Sequence, residues 1–211
     1  MLLTPWTEDA SYGRLFNGVS TFSSASPVLY FELGHLPKAA KDVADVMGFQ
    51  LINHLHHTCL TLPRAMKKRI VVEELSRFLE IRGAEGILRE LAESFRKYNV
   101  QLVATAQTYA RLADTPLRAA LVGSTRAWLL FNTGDRRDIE RLAADLNLSA
   151  VARDALLRLP RPDQQVGARY SEFLYLHTDV RQPICGVARY VRFDDSTSDP
   201  SSNLNPNPVP T

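Results

Sequence analysis

The chain is predicted to be an α/β protein, and three features of the sequence carry that prediction. Short apolar runs rich in β-branched residues alternate with stretches whose apolar residues recur at helical spacing. Residues 69–107 hold one complete strand, helix, strand unit, RIVVEELSRFLEIRGAEGILRELAESFRKYNVQLVATAQ. Finally, 211 residues with 45% hydrophobic and 23% charged content suffice for one sizeable core with an appendage.

Taken in order, residues 1–26 form an irregular lead-in, with the string Tyr12-Gly13-Arg14-Leu15-Phe16-Asn17-Gly18 and a Ser-rich run at 23–26. A domain is expected over 27–193. Residues 28–33 read as a strand from their apolar and aromatic content, with Glu32 near the tip and Gly34 ending it. Pro37 suits the first turn of a long helix reaching Leu60, in which Ala39, Val43, Val46, Met47, Phe49, Leu51, Ile52 and Leu55 recur at helical spacing. Its end gathers His54, His56, His57 and Cys59. His54 and His57 share a face, but no second cluster supplies carboxylate or thiolate at ligand spacing, so solvated or helix-capping histidines are the plainer reading. Residues 61–68 make a short basic link.

The central unit follows. Ile70, Val71 and Val72 run into Glu73 and Glu74, as expected of a strand buried on both faces whose carboxyl end opens onto a site. Residues 85–98 place Ile87, Leu88, Leu91 and Phe95 on one side of a helix and Arg89, Glu90, Glu93 and Lys97 on the other. Residues 100–104 are apolar again, and Thr105, Ala106 and Gln107 follow. A right-handed crossover makes the two strands parallel and brings Gln107 near the glutamates. Such an end suits nucleotide hydrolysis. One acid holds magnesium through water, the next orients the attacking water, and a glutamine amide meets water and phosphate oxygens with both a donor and an acceptor. Glu73, Glu74 and Gln107 fit those roles in turn; the alternative is a strand ending in solvated acids.

Beyond Gln107, Pro116 suits a helix start within 112–121, and residues 127–131 make a fourth strand preceded by Gly123-Ser124-Thr125-Arg126. Residues 135–146 are a charged amphipathic helix with Ile139, Leu142, Ala143 and Leu146 inside, and Ser149 looks like the N-cap of another helix reaching Leu159. Residues 170–177 and 184–193 read as an antiparallel hairpin around a turn at 179–183. Residues 194–211, built of Ser, Asp, Asn and Pro, read as a disordered tail.

The formal charge of +2 implies no strong field for nucleic acid or anionic membrane. Cys59 and Cys185 lie far apart and outside any Cys-x-x-Cys pair, which suggests free buried thiols in a reducing compartment. There is no apolar run near 18 residues and no basic-then-apolar start, so a cytoplasmic location is expected.

The stretch Glu73-Glu74, Arg96-Lys97-Tyr98, Ala104-Thr105-Ala106-Gln107 resembles the Walker B to sensor region of the conjugative-transfer ATPases of type IV secretion systems, the TraC/TrbE and VirB-type secretion ATPases. The Tyr-Gly-x-Leu-Phe-x-Gly string and Ser171-Glu172 are similar to further segments of that family. Two departures are visible: Glu73 stands where Asp is usual, and an alanine separates Thr105 from Gln107. The resemblance implies a RecA-like P-loop NTPase sheet with a small helical element and a C-terminal β-hairpin. It also implies ATP and magnesium as cofactors, Glu73 on the metal, Glu74 and Gln107 as catalytic residues, and Arg96, Lys97 and Arg126 as candidate phosphate contacts, from the same chain or across a subunit boundary.

None of the ten glycines begins the phosphate-binding string GxxxxGK[ST], and no Gly-Lys dipeptide occurs. In the resembling family that loop lies upstream, so the chain is expected to be a split or truncated C-terminal portion that binds nucleotide poorly alone. Its implied partners are a homo-hexamer or the upstream Walker A half, and other inner-membrane secretion components, with the assembly peripheral at the inner membrane. Direct nucleic-acid binding stays open, as in a DNA-pumping relative. The alternative is a non-catalytic interaction or assembly subunit that keeps the α/β fold.

Overall fold

The computed structural model describes residues 7, 9–10, 12–13, 17, 26–32, 41–81, 83–161, 164, 170–178 and 184–191. Most of the lead-in, the turn at 179–183 and the tail at 194–211 therefore lie outside the described residues. Two compact units divide the chain, the first Met1–Val71 with Leu75–Val103, the second Val72–Glu74 with Ala104–Thr211.

In the first unit, helix α1 (Lys41–Thr61) buries Val43, Gly48, Ile52 and Cys59, a stripe at helical spacing. Strand β1 (Lys68–Val72) follows, then the single turn α2 (Leu75–Phe78) and helix α3 (Ala84–Ser94). Ala84, Leu88 and Leu91 are buried along α3, and Phe95 continues the stripe where the helix tightens into a 3-10 turn (Phe95–Tyr98). Ile52, Ile81 and Ala84 form one core cluster with Phe78 and Ile87 packed against it. Gly83 makes the entry to α3 possible. Its φ is +87°, and a Cβ there would come within 3.0 Å of the Phe49 ring. His56 further joins α1 to α3, contacting Glu90 Oε2 through Nε2 at 3.1 Å and lying 4.8 Å from the Phe95 ring.

Strand β2 (Val100–Ala104) pairs with β1. The Lys68 N–H donates to the Asn99 carbonyl and the Thr105 N–H to the Val72 carbonyl, each at 3.0 Å, so starts meet starts and ends meet ends. The predicted parallel crossover is present.

The second unit continues through two short helices, α4 (Ala110–Ala113) and α5 (Leu117–Ser124); the second starts at Pro116 as expected, and the first was not foreseen. Strand β3 (Ala127–Leu130) leads to α6 (Arg136–Asp145) and α7 (Ala150–Arg158). Both long helices start as their sequences predict. Asp135 accepts from the N–H groups of Arg137 and Asp138, and Ser149 accepts from that of Ala152. Strands β4 (Tyr170–His177) and β5 (Ile184–Val191) form the expected hairpin in full antiparallel register.

Two expectations are corrected. Residues 28–32 carry no strand; Leu29 and Phe31 are half-buried, but Val28 and Tyr30, 78% and 76% exposed, gain no cover from a neighbouring strand among the described residues. The strand at 127–130 does not pair with the parallel pair among the described residues. It pairs antiparallel with β4, Trp128 opposite Leu176 and Leu130 opposite Leu174. Packing gives the reason. Leu130 and Leu174 share a face and close one core with Ile139 of α6 and Ala152 and Leu156 of α7. β5 is largely uncovered, with Ile184, Val187, Tyr190 and Val191 more than half exposed. Cys185 also lies exposed on β5, whereas Cys59 is buried as expected, and both thiols are free. No helix among the described residues is long and apolar enough to cross a membrane.

Candidate functional site

β1 alternates, with Ile70 and Val72 buried and Val71 57% exposed. One face is covered and the other open, which corrects the expectation of a strand buried on both faces. Three equal aliphatic residues in a row gave no sign of it. Beyond Val72 the chain turns sharply at Glu74, whose φ is 51°. That left-handed conformation is uncommon for a residue with a side chain and costs about 1 kcal/mol.

The neighbouring strand end holds Glu74 in place. Its N–H donates to Thr105 Oγ1 at 3.2 Å, and its Oε1 accepts from Gln107 Nε2 at 2.6 Å. Glu74 and Gln107, 33 residues apart in sequence, therefore meet at the carboxyl end of the parallel pair. Glu73 is exposed and makes no hydrogen bond or ion pair among the described residues, leaving its carboxylate available to solvent or a ligand.

Gln107 leads into a segment tied down from α6. Asp138, 3% exposed, accepts the N–H groups of Tyr109 and Ala110 at the start of α4. The Tyr109 hydroxyl donates to Asp145, which also receives Arg118 Nη1 at 2.6 Å. Burial, reinforced by the Asp145 hydrogen bond, pushes the Tyr109 phenol well above its ordinary range. This anchor fixes the backbone just after Gln107.

Thr105 entered the sequence reading only as part of the Ala104–Gln107 motif, with no role of its own, and Asp138 was not singled out. A hydroxyl two residues before Gln107 was a usable signal for Thr105. Asp138 had none, because in DRRDIERLAAD it looks like any solvated acid of an amphipathic helix.

The remaining predicted residues stand elsewhere. Arg96 and Lys97 lie in the 3-10 turn that precedes β2, at the amino ends of the strands, with the Lys97 ammonium 5.2 Å from the Tyr98 ring. Arg126 immediately precedes β3, where its carbonyl accepts the Thr178 N–H at 2.8 Å. Of the six candidates, the structure brings Glu74 and Gln107 into contact and sets Glu73 beside them in sequence.

Two carboxylates at a strand end suit a magnesium ion that takes the rest of its shell from water and phosphate oxygens. Among the described residues no group of three or more His, Cys, Asp or Glu side chains is arranged to hold a metal. Two of the three histidines of α1 are used in packing and hydrogen bonds, His54 lying 3.3 Å from the Thr58 hydroxyl and His56 against Glu90, and His57 is exposed.

Two clefts were not foreseen. One in the second unit, about 540 Å³, is lined by Asn132, Gly134, Arg136, Arg158, Arg161 and Gln164 among others. Asn132 is structural there, since its amide donates to the Leu157 and Leu159 carbonyls and accepts the Gly134 N–H. The other, about 380 Å³, lies in the first unit between the 67–69 segment and the turn before β2. No family model, curated protein or solved structure matches this chain at a significant level.

Proposed function

We propose that this chain is the C-terminal portion of a conjugative-transfer ATPase of the type IV secretion kind, its RecA-like sheet completed by a phosphate-loop portion carried elsewhere in the assembly. The observation that carries the reading is the 2.6 Å hydrogen bond between Gln107 and Glu74 at the carboxyl ends of adjacent parallel strands. Ligands in open α/β sheets bind outside those ends.

The roles divide by position. Glu74, held by Thr105 and Gln107, orients the attacking water, and Gln107 presents its amide to the water and the γ-phosphate. Glu73, without a protein partner among the described residues, holds the magnesium of ATP through water. A two-stranded parallel sheet rarely stands alone, so the outer edges of β1 and β2, unpaired among the described residues, are places for further strands. The assembled enzyme would be a hexamer at the cytoplasmic face of the inner membrane, energising pilus assembly and substrate transfer with other secretion components. Arg126 remains the candidate phosphate contact within the second unit; Arg96 and Lys97 suit a contact across a subunit boundary better than one in the same chain.

The test is Glu74→Gln in the chain reunited with a GxxxxGK[ST]-bearing portion. Glutamine keeps an acceptor oxygen for Gln107 and removes the charge, so a fall in ATP turnover of about 10²- to 10⁴-fold is expected at unchanged assembly. Unchanged turnover would favour the second reading, a non-catalytic assembly subunit, which the lack of any phosphate-cradling string in this chain supports.

A further inference from the structure

The two segments that flank the amino ends of β1 and β2 have an unusual charge content. Residues 61–72 and 94–107 contain six cations, Arg64, Lys67, Lys68, Arg69, Arg96 and Lys97, and no carboxylate at all. Backbone hydrogen bonding sets them side by side. Asn99 adopts φ 60°, its N–H returns to the Arg96 carbonyl at 3.0 Å, its carbonyl takes the Lys68 N–H at 3.0 Å, and its amide donates to the Ala65 carbonyl at 3.2 Å. The cleft of about 380 Å³ runs between the two segments, with Lys67, Lys68, Arg69 and Arg96 on its walls and the amides of Asn99 and Gln101 among them.

Among the described residues none of the six cations forms an ion pair with a carboxylate. Four of them have neutral partners. Lys68 Nζ donates to the Pro63 carbonyl at 2.8 Å and Arg69 Nε to Gln101 Oε1 at 2.8 Å, while Arg64 and Lys97 stand 5.1 and 5.2 Å from the centre of the Tyr98 ring. Five of the six are exposed, Lys68 being half-buried. Like charges so gathered repel one another, and a ligand that brings negative charge relieves them. Because Lys68 and Arg69 are held by different groups and Lys67 and Arg96 come from different segments, the four cations on the cleft walls are spread along it instead of converging on one point. That distribution fits a row of phosphates better than a single one.

From this geometry we infer that the first unit binds single-stranded nucleic acid, its phosphodiester backbone lying in the cleft. Arg and Lys take the phosphates, and the amides of Asn99 and Gln101 reach sugar and base oxygens. A concave site admits an extended chain, whereas a lipid bilayer meets a protein on protruding surface. The inference concerns the first unit's surface and does not depend on the ATPase reading.

The experiment is fluorescence anisotropy of the full 211-residue chain with a fluorescein-labelled oligo(dT) of about 16 nucleotides, titrated from about 50 to 200 mM salt. Binding that weakens steadily with salt is expected. The variant Lys67→Ala/Arg69→Ala/Arg96→Ala should flatten the slope of log affinity against log salt by about 2, since each phosphate contact contributes about 0.7 on a single strand. A charge-matched control in the second unit, Arg137→Ala/Arg153→Ala/Arg158→Ala, should keep the wild-type slope. Circular dichroism checks folding, and Arg96→Gln alone, expected to lower the slope by about 0.7, serves if the triple variant unfolds. The inference is overturned by no binding at the lowest salt, by an equal loss in the control, or by preference for vesicles of anionic phospholipid over the oligonucleotide.

Discussion

Glu74 sits in a backbone conformation that a side chain disfavours, and two groups from the adjacent strand end compensate for it. Its N–H donates to the Thr105 hydroxyl, and its carboxylate accepts from the Gln107 amide. Strain kept at a polar strand end points to function more than to stability. Replacing Glu74 with glycine relieves the backbone and removes the carboxylate; replacing it with alanine removes the carboxylate and keeps the strain. Glu74→Gly is therefore expected to be more stable than Glu74→Ala by about 1 kcal/mol in urea denaturation. Equal stability of the two would remove the strain argument. The Glu74 to Gln107 pairing was legible in the sequence because a right-handed crossover leaves little choice about where the second strand ends. The Thr105 contact was not, because it depends on a side chain rotamer at a turn.

At the scale of elements, period and caps carried most of the information. α6 and α7 begin at Asp135 and Ser149, where their side chains take up the N–H groups of the first turn, and β4 and β5 fall within two residues of their predicted ends. Sheet membership was not legible. Ala127 to Leu130 are four apolar residues that would fit any sheet, and what decides their place is the shared face of Trp128 and Leu130 with Leu174 and Leu176. Such decisions are made by residues distant in the chain. The core beneath β3 and β4 makes a sharp prediction, because Leu156 of α7 is fully buried there. Leu156→Ala should lower stability by about 2–5 kcal/mol in chemical denaturation. A loss below about 1 kcal/mol would mean that α7 is not seated on the sheet as described.

For the whole molecule, net charge proved a poor guide to local charge. The balance of +2 arises from 25 basic and 23 acidic residues, and it conceals two acid-free segments carrying six cations. The composition correctly excludes a uniformly basic surface and says nothing about a patch.

β5 ends the three-stranded sheet among the described residues, and it does so with little covering of its side chains on either face. A strand in that position offers a row of unpaired amides to any passing chain, flanked by Ile184, Val187, Tyr190 and Val191. The practical consequence is colloidal. At high concentration or on mild heating, molecules are expected to add edge to edge and scatter light, and Val187→Lys, placing a charge on an exposed position of that strand, should delay the onset without lowering the melting temperature by more than a few degrees.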